Sequence, residues 1–161
     1  MNDKNNENQF VFSASEIRQA GTYSAELNIL PSEFADAFPG RDVLKKLSAS
    51  LEFNAAGDEI LLNGKISASL ALDCSRCGKS IIKSFSDVFD ESFPYSVEYI
   101  NVRENIRETV SLMEPMKVLC SEKCKGRCPH CGKDLNEGTC SCVQENFSPF
   151  AALKNFRPGK K

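Results

Sequence analysis

The sequence predicts an α+β fold: mainly an antiparallel β-sheet meander with a covering amphipathic helix and a C-terminal cysteine-rich appendage. Three observations predict it. Leu47, Ala49, Leu51 and Phe53, and then Ile66, Ala68, Leu70 and Leu72, alternate with polar or small residues at the period of half-buried strands. Val102, Ile106, Val110 and Met113 stand at i, i+4, i+8 and i+11, the stripe of an amphipathic helix. Six of the eight cysteines fall in the 23 residues from Cys120 to Cys142.

A chain of 161 residues with 41% hydrophobic content can bury one core, with room for a small attached unit. The opening residues, MNDKNNENQF, lack a basic stretch followed by an apolar one, and no apolar run reaches the roughly 18 residues of a membrane span. The expectation is therefore a cytoplasmic protein whose thiols stay reduced and whose clustered cysteines favour metal over disulfides; a secreted disulfide framework is the alternative. Net charge is −2, unevenly spread: residues 1–116 hold 11 Lys and Arg against 18 Asp and Glu, net −7, and residues 117–161 hold 9 against 4, net +5. The cysteine end is the basic one, suited to a phosphate backbone or an acidic partner, although knuckle loops are also commonly lysine-rich simply because they are solvated.

Taken in order, residues 1–9 read as a disordered leader, with nothing apolar after Met1 to offset the entropy of ordering them. Residues 10–116 read as the α+β domain and 117–161 as the cysteine-rich zinc-knuckle segment with a short C-terminal helix. Phe10-Val11-Phe12 begins a short strand, and Tyr23, Ala25, Leu27 and Ile29 alternate against Thr22, Ser24, Glu26 and Asn28 in a second. Pro31 breaks it; Ser32 can cap a short helix, Glu33 to Phe38, which Pro39-Gly40 ends. Asn54 to Asp58 reads as the turn between the two central strands. The second of these runs into Cys74-Ser-Arg-Cys77-Gly78-Lys79 and a return strand from Ser80, placing Cys74 and Cys77 at a hairpin tip. Ile82, Phe85, Phe89 and Phe93 have near-helical spacing, so a helix over 85–93 stands as an alternative there. The helix that begins near Asn101 turns Arg103, Glu104, Arg107 and Glu108 to solvent and ends at Pro115. At the far end Ser148 and Pro149 open a short helix carrying Phe150, Leu153 and Phe156.

Cys128-Pro-His-Cys131-Gly132 has the C-x2-C-G form of a zinc knuckle: two thiolates on a tight turn, with a glycine free to take positive φ so that backbone amides point at the sulfurs. Cys140-x-Cys142 supplies a second close pair, and the loop between is rich in turn formers (Asp134, Asn136, Gly138), so the pairs can fold back around one ion. Cys128, Cys131, Cys140 and Cys142 are thus the expected ligands of a structural zinc, a closed tetrathiolate shell with no open position for water. For Cys74 and Cys77 three readings stand: a redox pair, which normally sits at a helix N-terminus rather than between strands; plain burial; or ligation of a second ion, with Cys120 and Cys124 completing the shell. The only histidine, His130, occupies an x position of the knuckle, and there is no Ser/His/Asp set, Walker loop or Gly-x-Gly-x-x-Gly, so no enzyme is expected.

Leu72-Asp-Cys74-Ser-Arg-Cys77, an amphipathic helix, then Cys120-x3-Cys124, Cys128-Pro-His-Cys131-Gly-Lys-Asp-Leu135-Asn136 and Cys140-Ser-Cys142 resemble the YceD family of bacterial and organellar proteins, from about residue 47 to the end. The chain has Ser148-Pro149-Phe150 where many relatives carry Asp-Pro-Arg. Some members keep the C-x-R-C pair without the C-terminal cluster. The resemblance implies a non-enzymatic role in ribosome biogenesis: accumulation or processing of large-subunit (23S) ribosomal RNA. The implied partner is ribosomal RNA, a large-subunit ribosomal protein or a precursor particle, with no membrane and no small-molecule substrate. Lys123, Lys125, Arg127 and Lys133, on the basic end, are the candidate contact residues. A zinc-ribbon-like transcription accessory, or an RNA-modifying or redox enzyme, is the alternative class.

Overall fold

A computed structural model describes residues 7–142; the expected leader, apart from its last three residues, and the expected helix at 148–156 lie outside them. The chain runs through a 3-10 turn at Glu7–Phe10, β1 (Val11–Ser13), α1 (Ala14–Ala20), β2 (Thr22–Ile29), a 3-10 segment at Pro31–Ala37, β3 (Leu44–Ala56), β4 (Glu59–Asp73), β5 (Ser80–Pro94), β6 (Tyr99–Asn101) and α2 (Arg103–Leu112). Strands β2, β3, β4 and β5 form one antiparallel sheet in sequence order, the meander expected from the alternation, and β1 pairs with β6 in a separate two-stranded ribbon.

Register puts every apolar alternation on one face. Phe53 opposes Leu62, Ala49 opposes Ile66 and Leu47 opposes Ala68, all buried. Phe12 packs its ring 4.9 Å from that of Phe53, so the β1–β6 ribbon closes over the same face. The helical stripe behaves as its period requires: Val102, Ile106 and Val110 are fully buried and Met113 nearly so, joining the sheet residues in one core. Asn101 Oδ1 accepts the Arg103 N–H at 3.0 Å and satisfies one of the free donors at the start of α2. Arg103 then turns back over the ring of Phe34 at 4.8 Å and donates to Glu33 O at 2.7 Å, tying α2 to the Pro31–Ala37 segment.

Four local expectations need correction. The helix alternative over 85–93 does not form: β5 is a strand for its whole length, because a spacing of four also keeps Phe85, Phe89 and Phe93 on one face of a strand; Ile81 joins them there, and Ile82, which the helical spacing included, falls on the opposite, exposed face. The expected Asn54–Asp58 turn is tighter, since Asn54, Ala55 and Ala56 continue the ladder and only Gly57 and Asp58 make the reversal. Ser32 does not cap a helix; the segment is 3-10, begins at Pro31, and its free donors are met by Leu30 O and by Glu33 Oε1 reaching back to the Leu30 N–H. Helix α1 was not expected: it is only seven residues long, capped by Ser13 Oγ and buried through Ala14 and Ile17.

This frame positions the cysteine end. The β4–β5 hairpin carries Cys74 and Cys77 at its tip, and the chain leaving α2 returns beside it: the Ser75 N–H donates to Val118 O at 2.8 Å and the Val118 N–H to Ser75 Oγ at 3.2 Å. Val118 is itself part of the main core. No helix among the described residues is long and apolar enough to cross a membrane.

If α2 is held by its buried stripe, Ile106→Ala should lower unfolding free energy by about 2–5 kcal/mol, the cost of a large-to-small change in a packed core. The exposed-face change Glu108→Ala should stay within about 0.5 kcal/mol. Urea denaturation followed by far-UV circular dichroism measures both.

Candidate metal centre

The two C-x2-C-G turns fold alike. In the first, the Cys74 N–H donates to Lys79 O at 2.9 Å and the Gly78 N–H to Cys74 O at 2.8 Å; in the second, the Cys128 N–H donates to Lys133 O and the Gly132 N–H to Cys128 O, both at 2.9 Å. Gly78 and Gly132 take φ of +70° and +73°, a region closed to most side chains, which is why each turn needs glycine after its second cysteine. The sequence shared by the turns is C-x-x-C-G-K, at 74–79 and 128–133.

Each turn meets a different second pair. Cys74, Cys77, Cys120 and Cys124 form one group and Cys128, Cys131, Cys140 and Cys142 the other, the sulfurs of each lying within 4.8 Å of one another. In the first group Cys74 and Cys124 are 3.8 Å apart and Cys77 and Cys120 3.7 Å. A tetrahedral ion with metal–sulfur bonds of about 2.3 Å separates its ligands by about 3.8 Å, whereas a disulfide would need about 2.05 Å. All eight cysteines are free, and both sets fit a closed tetrathiolate shell that could hold a metal ion. The first group is the drier one: Cys74, Cys77 and Cys124 are buried and form a satellite core with Leu119 and Cys120, while in the second only Cys128 is buried and Cys131 is exposed.

Electrostatics separates the thiols within each group. Backbone N–H groups of Cys120 and Cys77 point at Cys74 and hold its thiol at about 6; those of Cys131 and His130 do the same for Cys128, also at about 6. Cys120 is pushed up to about 12 by its contact with Cys124 and by burial, and Cys142 to about 12 by Cys131 and burial. The Lys79 amide and the Cys120 thiol lower the Cys77 thiol, but burial and the Cys74 and Cys124 thiols outweigh them, leaving it above the ordinary value. Four thiols gathered without a cation repel one another's ionised forms, so the amide-facing member ionises first.

The first group is braced within itself, and to the second group, by residues that cysteine spacing alone does not reveal. Arg76 Nη1 donates to Cys124 O at 2.8 Å and Arg127 Nε to Cys77 O at 2.6 Å. The Arg127 N–H also donates to Arg76 O at 3.2 Å. Asn136, in the loop between the cysteine pairs of the second group, accepts the Lys125 N–H at 2.8 Å and points its amide at Cys124 Sγ, 3.5 Å away in the first group. Asp134 orients that amide through a 2.7 Å bond to Nδ2, and the Leu135 N–H donates to Gly126 O at 2.9 Å. The only signals in the sequence were the Arg at the x position of C-x-R-C and the Leu-Asn after the second knuckle.

The expected contact residues lie on this unit. The side chains of Lys123, Lys125, Arg127 and Lys133 are exposed, but Arg127 also braces Cys77 and Lys133 Nζ donates to Thr139 O at 2.8 Å. His130 is exposed, at the knuckle position where the sequence put it.

The family resemblance is borne out. Residues 87–157 match the model of the YceD family, described as large ribosomal RNA subunit accumulation protein YceD. The chain is 26% identical to the chloroplastic YCED homolog 1 of Arabidopsis thaliana, a large ribosomal RNA subunit accumulation protein, over 62% of this chain and 44% of that one. It is 32% identical to the protein of the same name from Zea mays, over 38% of this chain and 22% of that one. The chain thus spans less than half the length of these curated relatives. No solved structure matches.

Two outcomes follow for a metal-loaded chain. Asn136→Ala removes the amide that faces Cys124 and should weaken metal retention at the first group by about 10-fold, the lower range for a residue that orients a ligand. Chelator competition on the otherwise intact chain measures it, the first group's phase being the one that a Cys77→Ser reference variant lacks. The pH dependence has a fixed sign: metal must displace protons held by Cys77, Cys120 and Cys142, so apparent affinity rises with pH through neutrality. Below about 6 the Cys74 and Cys128 thiols also protonate, and the fall with acidity should steepen there. Chelator competition from pH 5 to 8 gives the slope.

Proposed function

We propose that this chain is a non-enzymatic ribosome-biogenesis factor that supports accumulation or processing of large-subunit (23S) ribosomal RNA by binding the RNA, a large-subunit ribosomal protein or a precursor particle through its cysteine end. The observation that carries the reading is the partition of all eight cysteines into two tetrathiolate sets that fasten the basic segment to the sheet, in a chain whose residues 87–157 match the YceD family. The ion proposed is zinc in both sets, held for structure: four thiolates fill a tetrahedral shell and leave no position at which water could be activated. The first set joins the hairpin tip to the start of the cysteine segment, and the second stiffens the knuckle that follows, so residues 117–142 act as a rigid arm on the domain of residues 10–116. Both sets require reduced thiols, which fits the proposed cytoplasmic setting.

A rigid arm fixes the directions of its charges. Lys123, Lys125, Arg127 and Lys133 are the proposed contacts, with Arg127 serving at once as brace and charge. Positioning by phosphate contact carries affinity but little sequence readout, in keeping with a factor that recognises a particle rather than a short motif.

Salt dependence tests the electrostatic part. Replacing Lys123, Lys125 and Lys133 by alanine spares the Arg127 brace, and it should reduce the slope of log affinity against log salt by about 2–3 units on a large-subunit RNA precursor. The variant's zinc content should stay unchanged. A triple variant that retains its zinc, still co-sediments with large-subunit precursors and restores ribosomal RNA levels in a deletion strain would remove the basic end from the account.

A further inference from the structure

Strand β5 is the outer strand of the four-stranded sheet for all fifteen of its residues, and no other strand pairs with its far side among the described residues. Alternate backbone N–H and C=O groups along such an edge point away from the sheet and invite another strand. Its sheet-face side chains are unusual for a core strand. Ile81, Phe85, Phe89 and Phe93 pack partly against the core, and between them on the same face stand Lys83, Asp87 and Glu91, all exposed. The Phe89 ring lies over Gly64 of β4, in the space a Cβ there would fill. On the opposite face Ile82 and Val88 are exposed at 68% and 58%.

Beyond Lys83 the charge along this edge has one sign. Between Lys83 and Arg103 there is no Lys or Arg, while Asp87, Asp90, Glu91 and Glu98 are all present. Inward-pointing carboxylates on an edge strand repel an apolar or acidic strand that tries to add, but Asp87 and Glu91, four residues apart on one face, favour a strand carrying Lys or Arg at every fourth position, where cross-strand pairs of opposite charge form. We infer that the β5 edge is a docking site for an extended basic polypeptide segment that adds to the sheet as a fifth strand, its cations facing Asp87 and Glu91 and its apolar side chains completing the Phe85–Phe89–Phe93 row. Main-chain pairing supplies the affinity and the carboxylates choose the partner. This surface lies on the acidic part of the chain, apart from the basic cysteine end, so it admits a protein partner independently of any contact with RNA.

Hydrogen exchange in the intact, metal-loaded protein tests it. The probe is a capped 12-residue peptide in which Thr alternates with, in turn, Lys and Val, so that Lys and Val follow one another along a single face of the strand; controls are its Glu counterpart and a peptide of the same composition with the lysines in one block. The alternating basic peptide should slow exchange of the outward-facing amides of residues 80–94 by at least 10-fold. The acidic peptide should leave exchange unchanged, and the blocked peptide should have a much smaller effect. Asp87→Lys with Glu91→Lys, both exposed and outside the cysteine groups, should reverse the preference between the basic and acidic peptides. Equal protection by the alternating and blocked peptides would reduce the edge to a diffuse charge and overturn the inference. Three other results would overturn it: no protection at β5, concentration-dependent protection without peptide, which would make a second copy the occupant, or β5 amides already protected in the free monomer.

Discussion

The cysteine end depends on one convergence. Cys74 and Cys77, at the tip of the β4–β5 hairpin, must meet Cys120 and Cys124, which arrive some forty residues later from the end of α2. Sulfurs 3.7 and 3.8 Å apart leave little tolerance, since an ion ligated by four thiolates requires all of them at one radius. The rest of the fold serves that meeting. The long β4–β5 ladder holds the tip in place, and the buried stripe of α2 fixes where the returning chain leaves the core. The paired bonds between Ser75 and Val118 align the last residues before Cys120.

The second group is subordinate in position. Its knuckle starts four residues after Cys124, and its own loop sends Asn136 back to the first group's sulfur. Arg127, beside the knuckle, reaches across to the carbonyl of Cys77, and Arg76, within the first group's own turn, holds the carbonyl of Cys124. A guanidinium on a carbonyl next to a proposed ligand does two jobs: it satisfies a polar group that would otherwise be buried without a partner, and it orients the ligand's backbone. The sheet and the knuckle thereby share one hydrogen-bond network, and the basic side chains borne on the knuckle inherit its rigidity.

Much of this was legible in the sequence because burial and periodicity agree. Leu47, Ala49, Leu51 and Phe53 are buried on one face, as the period of two required, and Val102, Ile106 and Val110 are buried together, as the period of 3.6 required. The grouping of Cys128 and Cys131 with Cys140 and Cys142 could be read as an expectation from spacing, whereas for Cys74 and Cys77 the spacing left a redox pair, plain burial and a shared set with Cys120 and Cys124 all open. What could not be read depended on context. The spacing of Phe85, Phe89 and Phe93 fits a helix and a strand equally, and only the pairing of β5 to β4 decides between them. An edge strand can keep Lys83, Asp87 and Glu91 on its inner face because that face is half open, a fact local patterning cannot convey. Helix α1 is too short to show a period, and the bracing roles of Arg76, Arg127 and Asn136 exist only once two distant turns have been brought side by side.

The central claim is that the eight cysteines form two separate structural tetrathiolate sites. Zinc analysis of the reduced protein, combined with X-ray absorption at the zinc edge, tests it most directly. The account predicts two zinc ions per chain and a scattering shell of four sulfurs at about 2.3 Å, with no nitrogen or oxygen neighbour. One ion or none per chain, or a shell containing oxygen or nitrogen, would contradict it.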